Sequence, residues 1–209
     1  MSLSTGRKDR GVFRFTALAA FSLLALSGCN QDNAPASDSP GYAEAAFAPY
    51  PGTEVRFYDV YGTDAKSIRE SLNAFGPQNQ GEGRRYDART SWNAQWHWPG
   101  GPDGKCDLAH LEYSFQITIT LPHLHDQERL SPALRKDWRR YMAALIAHES
   151  GHAKHAYEHR ADIENAVKSS SCEGANAAGA AAIAEMGKFD VTYDAETHHG
   201  ATQGARFPG

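Results

Sequence analysis

The chain has 209 residues, with 21 Lys+Arg against 25 Asp+Glu, a formal charge of −4, 19 Gly, 10 Pro and three Cys. That length suits one ordinary domain and falls short of two, and the mild acidity excludes the general electrostatic footprint of a nucleic-acid binder. The Gly and Pro content is too low for a disordered or fibrous chain. Histidine is unevenly placed: none of the ten precedes His97, and six lie between His148 and His199.

At the N-terminus, Arg7, Lys8, Arg10 and Arg14 precede an uncharged apolar run from Phe15 to Leu26. The run is too short for a membrane-spanning helix, which needs roughly 20 residues, and fits the apolar region of a secretory signal. Leu26-Ser27-Gly28-Cys29 resembles the bacterial lipobox, which implies lipidation of Cys29 and cleavage just before it. A plain cleaved signal is the alternative. The expected divisions are a signal peptide over 1–28, a flexible tether over 29–52 and a folded domain over 53–209. Loss of residues 1–28 leaves 17 Lys+Arg against 24 Asp+Glu, a net charge of −7. Without a basic patch, attachment to the membrane would rest on the acyl chains of Cys29. The expected location is the bacterial cell envelope, periplasmic or extracellular.

With Cys29 taken by lipid, Cys106 and Cys172 form an even pair in an oxidising compartment. A disulfide is the natural inference. Two free thiols or two metal ligands are the alternative, disfavoured because neither sits in a Cys-x-x-Cys spacing.

From Thr53 the text becomes structured. Glu54 to Tyr61 reads as a strand, and Thr63 or Asp64 caps a helix over 65–75 that places Ile68, Leu72 and Phe75 on one face before Gly76-Pro77 stops it. Residues 86–98 alternate Trp92, Ala94, Trp96 and Trp98 against polar neighbours, as a half-buried strand does. A Gly/Pro hairpin leads to a long strand from Cys106 to Leu121. Ser131 then caps a helix with Pro132 in its first turn, and the apolar pattern runs without a breaker to about Val167, as a spine through the core or with a kink. A second, Ala-rich helix is expected from Cys172 to about Met186. The tail from Phe189 reads as Gly-rich coil, with one short strand at Asp190 to Tyr193.

The long helix carries His148-Glu149-Ser150-Gly151-His152, a His-Glu-x-x-His string. Histidines four apart share one helix face, so both imidazoles can reach a single Zn²⁺ at about 2.0–2.1 Å. Glu149, beside them, is placed to take the proton of a water on that metal. Composition alone would produce such a string in roughly 3% of shuffled chains, so its context carries the reading. That context is strands followed by an apolar-faced helix, in an exported chain.

A catalytic zinc normally takes three protein ligands. His155 and His159 continue the same face, but a straight helix carries them away from a metal held by His148 and His152. The metzincin spacing would want Gly and His where this chain has His155 and Glu158, and is rejected. A gluzincin-like reading would take an acidic residue from the next helix, for which Glu173 is available. The tail Tyr193-Asp194-Ala-Glu-Thr197-His198-His199-Gly200 offers better candidates.

Several separate motifs resemble a bacterial family described as secreted zinc-dependent proteases and catalogued as a domain of unknown function. They are Tyr58-Asp59-Val60-Tyr61-Gly62-Thr63 with the following helix ending at Gly76-Pro77, Thr90-Ser91-Trp92 with Trp96, and the Cys106 strand ending at Leu121-Pro122. Beyond these come Trp138 with His148-Glu149-x-Gly151-His152, and Tyr193-Asp194-x-x-Thr197-x-His199-Gly200 with Gln203-Gly204. The resemblance covers about Val55 to Gly204. It implies an α+β, zincin-like domain in which a small mixed or antiparallel sheet packs on the long helix, Glu149 is catalytic, His148 and His152 hold zinc, and Cys106 pairs with Cys172. His199, in the Thr-x-His-Gly motif, is the expected third ligand, with Asp194 second; Tyr193 is assigned to oxyanion stabilisation.

The expected function is a membrane-anchored peptidase with one Zn²⁺ per chain, acting on a peptide or protein of the envelope, with no nucleic-acid partner. Two alternatives share the metal site: a non-catalytic zinc-binding lipoprotein and a zinc amidase acting on peptidoglycan peptides.

Overall fold

The computed structural model describes residues 35–78, 83–101 and 106–208. Cys29 and the signal region lie outside these residues. In chain order the elements are helix α1 (Pro40–Phe47), strand β1 (Thr53–Val60), helix α2 (Ala65–Phe75), strands β2 (Arg89–His97) and β3 (Glu112–Leu124), and helices α3 (Pro132–Lys168) and α4 (Ala175–Thr197). The fold is α+β.

The three strands form a mixed sheet in the order β1-β3-β2, with β1 parallel and β2 antiparallel to β3. Pro122, which has no N–H to give, is tolerated in the central strand because β2 reaches only Thr120; beyond that point β3 pairs with β1 alone. The alternation expected of β3 is present: Ile117, Ile119 and Leu121 are fully buried and stabilise the core by about 1.5–3 kcal/mol each. They meet Trp138, Tyr141, Met142, Leu145 and Ile146, one face of α3.

Helix α2 occupies its expected span. Asp64 and Ser67 close a reciprocal capping box at its start, and a Cβ at Gly76 would lie 2.1 Å from the Tyr86 carbonyl oxygen, so the chain passes there only as glycine. Helix α3 also begins as expected, with the Ser131 hydroxyl accepting from Leu134 N–H and Pro132 in the first turn, and runs 37 residues.

Two expectations fail. The segment read as tether contains α1, which buries Ala43 and Phe47 in the core, while Asp38 is buried against Arg139 at 3.3 Å. Its Ala/Ser/Pro composition hid it because a helix of eight residues needs only two apolar anchors. The tail from Phe189 is neither coil nor strand: α4 continues to Thr197, and the chain turns only at His198, His199 and Gly200, all at positive φ. Small residues all round α4 erase the apolar stripe from which a helix is normally read.

Cys106 and Cys172 form a disulfide with Cα atoms 5.9 Å apart, within the usual range. It ties the turn between α3 and α4 to the segment preceding β3. No described helix is long and apolar enough to cross a membrane.

Candidate metal centre

Helices α3 and α4 pack side by side, joined by a short turn. On α3, the four-residue spacing puts His148 and His152 on one face, both buried. On α4, Asp190, Tyr193, Asp194 and Thr197 recur at the spacing of another single face.

The two faces converge on one atom. Nε2 of His148 and Nε2 of His152 each lie 3.1 Å from Asp194 Oδ1. His148, His152 and Asp194 each offer a ligand atom within 4.8 Å of the others, and among the described residues they are the group of this kind. Tetrahedral zinc with bonds of about 2.0–2.1 Å separates its ligands by about 3.3 Å, close to the spacing observed.

The opposite ring nitrogens show how this arrangement could hold a cation. His152 Nδ1 donates to Asp190 Oδ1 at 2.9 Å, and His148 Nδ1 donates to Gln203 Oε1 at 2.9 Å. Each neutral ring then presents Nε2 as a lone pair, so three acceptors face one another. Such outer partners orient ligating histidines in metal sites. Without a metal a proton must serve: burial works against charging His152, but Asp190 and Asp194 outweigh it and hold the ring charged up to about 10. Burial likewise opposes ionisation of Asp194, yet contacts from His148 and His152 hold its carboxyl well below the usual range.

Strand β2 supports both helices. Its alternation turns Thr90, Trp92 and Trp96 to one face, where the Thr90 hydroxyl lies 2.6 Å from Glu149 Oε2, Trp92 Nε1 donates to Asp190 Oδ2 at 3.0 Å, and Trp96 Nε1 donates to Asn176 on α4. Glu149 is only 4% exposed, and burial raises its pKa against the opposing hydrogen bond from Thr90.

Of the residues expected at the site, His148, Glu149 and His152 are brought together. His199 is not in the group: its Nδ1 lies 3.4 Å from the other oxygen of Asp194, and its ring tilts against Tyr86. Asp194 replaces it as third ligand candidate because α4 runs about three turns further than expected, to Thr197. Tyr193, expected at the oxyanion, stacks on His148 with ring centroids 5.0 Å apart, and its hydroxyl accepts from Gln203 Nε2. It packs against both ligand candidates, His148 and His152, and is not among the residues lining the cleft. Gly151 makes room for it, since a Cβ there would come 2.4 Å from the Tyr193 hydroxyl. Gly200, at φ +78, passes over His148.

His155 stacks on Phe189 and His159 pairs with Asp162, both away from the centre. Glu173 is exposed in the α3–α4 turn. The sequence reading missed Asp190, Gln203 and Thr90 as functional side chains. Asp190 and Asp194, four apart, were visible as a pair only to a reader who extended α4.

The centre opens into a cleft of about 910 Å³ between the helices and the segment 84–92. Fold and site together define an α+β domain with a two-helix His/His/Asp centre beside a buried glutamate. The family described as "Bacterial protein of unknown function (DUF922)" matches residues 55–200, and the chain belongs to it. No curated protein and no solved structure matches the chain.

Proposed function

We propose that this chain is an exported zinc-dependent peptidase of zincin-like architecture, with His148, His152 and Asp194 as the zinc ligands and Glu149 as the proton carrier. The observation that carries it is the convergence of two imidazole Nε2 atoms on one carboxylate oxygen, each 3.1 Å from it, beside a buried glutamate in an open cleft. When bound, zinc supplies Lewis-acid polarisation of a water and of a substrate carbonyl.

The chain's own residues do the rest. Glu149 lines the cleft with its basicity raised by burial, which suits a carboxylate that accepts and returns a proton. Thr90 fixes the orientation of that carboxylate. Asp190 and Gln203 hold the two imidazoles in the tautomer that leaves Nε2 free.

Export and anchoring through Cys29 belong to the same proposal. Since α1 is packed on the domain, seven residues separate Cys29 from Ser37, whose hydroxyl donates to the Arg139 carbonyl. Fully extended they reach about 27 Å, so the domain would work close to the membrane. The single ligand group among the described residues favours one zinc per chain over metal capture by the His155–His159 face. A substrate among peptidoglycan peptides is open to the same chemistry.

The test is Glu149→Gln. Zinc content should stay near one per chain while peptide hydrolysis drops by about 10²–10⁴-fold; full activity in this variant would end the peptidase reading.

A further inference from the structure

The cleft is lined by two sets of charged side chains of opposite sign. One holds Glu149, Asp190 and Asp194, each engaged by Thr90, Trp92 or the histidines. The other carries Arg69, Arg84, Arg85 and Arg89. This concentration of positive charge is local, because the chain as a whole is acidic.

Arg69 is neutralised by a two-pronged ion pair with Asp87, whose Oδ2 also accepts from the Tyr141 hydroxyl at 2.7 Å. The other three differ. Arg85 Nη1 donates to the Gly76 carbonyl at 2.6 Å, Arg89 Nη1 donates to the Gln78 carbonyl at 2.9 Å, and the Arg84 guanidinium lies over the Tyr86 ring at 5.4 Å. These partners are neutral. Among the described residues no carboxylate pairs with Arg84, Arg85 or Arg89. Backbone anchoring holds two guanidinium groups in place, and among the described residues a carbonyl takes up a single Nη1 of each, while a guanidinium matches a carboxylate through two parallel hydrogen bonds.

We propose that the Arg84, Arg85 and Arg89 wall binds the carboxylates of an acidic peptide, so that the cleft selects peptides carrying Asp or Glu to one side of the bond at the metal centre. A polyanion filling the whole cleft would run against Asp190 and Glu149; a peptide with its negative charge confined to one side would not. The substrate class rests on the peptidase reading, but the binding does not.

The experiment uses the full chain carrying Glu149→Gln and two fluorescent peptides of one sequence, one with four Glu and the other with Gln in their place. The acidic peptide should bind about 10-fold more tightly at low salt, with the advantage shrinking as salt screens it. Adding Arg84→Glu, or Arg89→Gln should that variant fail to fold, should bring the two affinities within about threefold of each other. Equal binding of the two peptides by the Glu149→Gln chain, or an advantage unmoved by the arginine variants, overturns the inference. The two readings fail separately. If the unsubstituted chain cleaves neither peptide while the acidic one still binds preferentially, hydrolysis falls and the arginine wall stands. If it cleaves both equally well, the wall falls and hydrolysis stands.

Discussion

Asp190 Oδ1 lies 2.9 Å from His152 Nδ1, and the same carboxylate accepts from Trp92 Nε1 at 3.0 Å. One aspartate thus joins the sheet to a ligand candidate. Replacing Asp190 by Asn keeps its shape while weakening the acceptor, and zinc affinity should fall about 10–100-fold. Competition with a chromogenic chelator measures it. Affinity equal to that of the unsubstituted chain would remove Asp190 from the centre.

The third ligand can be decided by comparing Asp194→Ala with His199→Ala. Loss of Asp194 removes the oxygen on which both Nε2 atoms converge, and tight zinc binding should be lost. Loss of His199 removes a contact of 3.4 Å to the other Asp194 oxygen, and one zinc per chain should remain. X-ray absorption on the zinc-loaded protein should show two imidazoles; three would restore His199 as a ligand.

Gly151→Ala places a helix former in the middle of α3, which on propensity alone would stabilise by about 1 kcal/mol. The added Cβ would meet Tyr193, whose ring is held by its stack on His148 and by Gln203. Overpacking costs about 1–3 kcal/mol, so the net change should be a loss of stability in the metal-free protein. A melting temperature equal to or above that of the parent would show that Tyr193 can yield.

Alkali should unfold the protein through its buried tyrosines. Burial, with Glu164 nearby, pushes Tyr113 up to about 12, and burial and Asp87 also raise Tyr58 and Tyr141 well above the usual tyrosine range. Above pH 10 the unfolded chain has released these protons and the folded one has not, so the native state binds more protons and stability falls as pH rises. The contribution is complete below pH 10 and is lost from Tyr113 as pH passes through about 12. Tyrosinate absorbance should show a late-titrating fraction among the nine tyrosines, with the denaturant midpoint falling over the same window. Nine tyrosines titrating together near pH 10, with no loss of stability, would contradict this.

How much could be read in advance depended on how local the signal was. The α2 capping box, the Ser131-Pro132 start of α3, the alternation of β2 and β3 and the pairing of Cys106 with Cys172 were legible, because each depends on neighbours in the chain or on a count of cysteines. So were His148, Glu149 and His152, whose relation to one another is a property of one helix turn. By contrast, α1 and the end of α4 were missed, since each is helical mainly through what it packs against. Ala43 and Phe47 reach the core, and Phe189 and Tyr193 stack on His155 and His148 of α3.

The placement of Asp194 rather than His199 against both Nε2 atoms, and the hydrogen bonds that Thr90, Asp190 and Gln203 make with Glu149 and the two histidines, were decided by tertiary structure alone. The sequence by itself determined most of the candidate centre: two histidines and a neighbouring glutamate on one helix turn, with further ligand candidates in the tail. Which side chain completes it depended on where α4 stops. About three added turns carry Asp194 onto the face of His148 and His152 and leave His199 past the end, and those turns are stabilised by contacts between segments far apart in the chain, Asp190 with Trp92 among them.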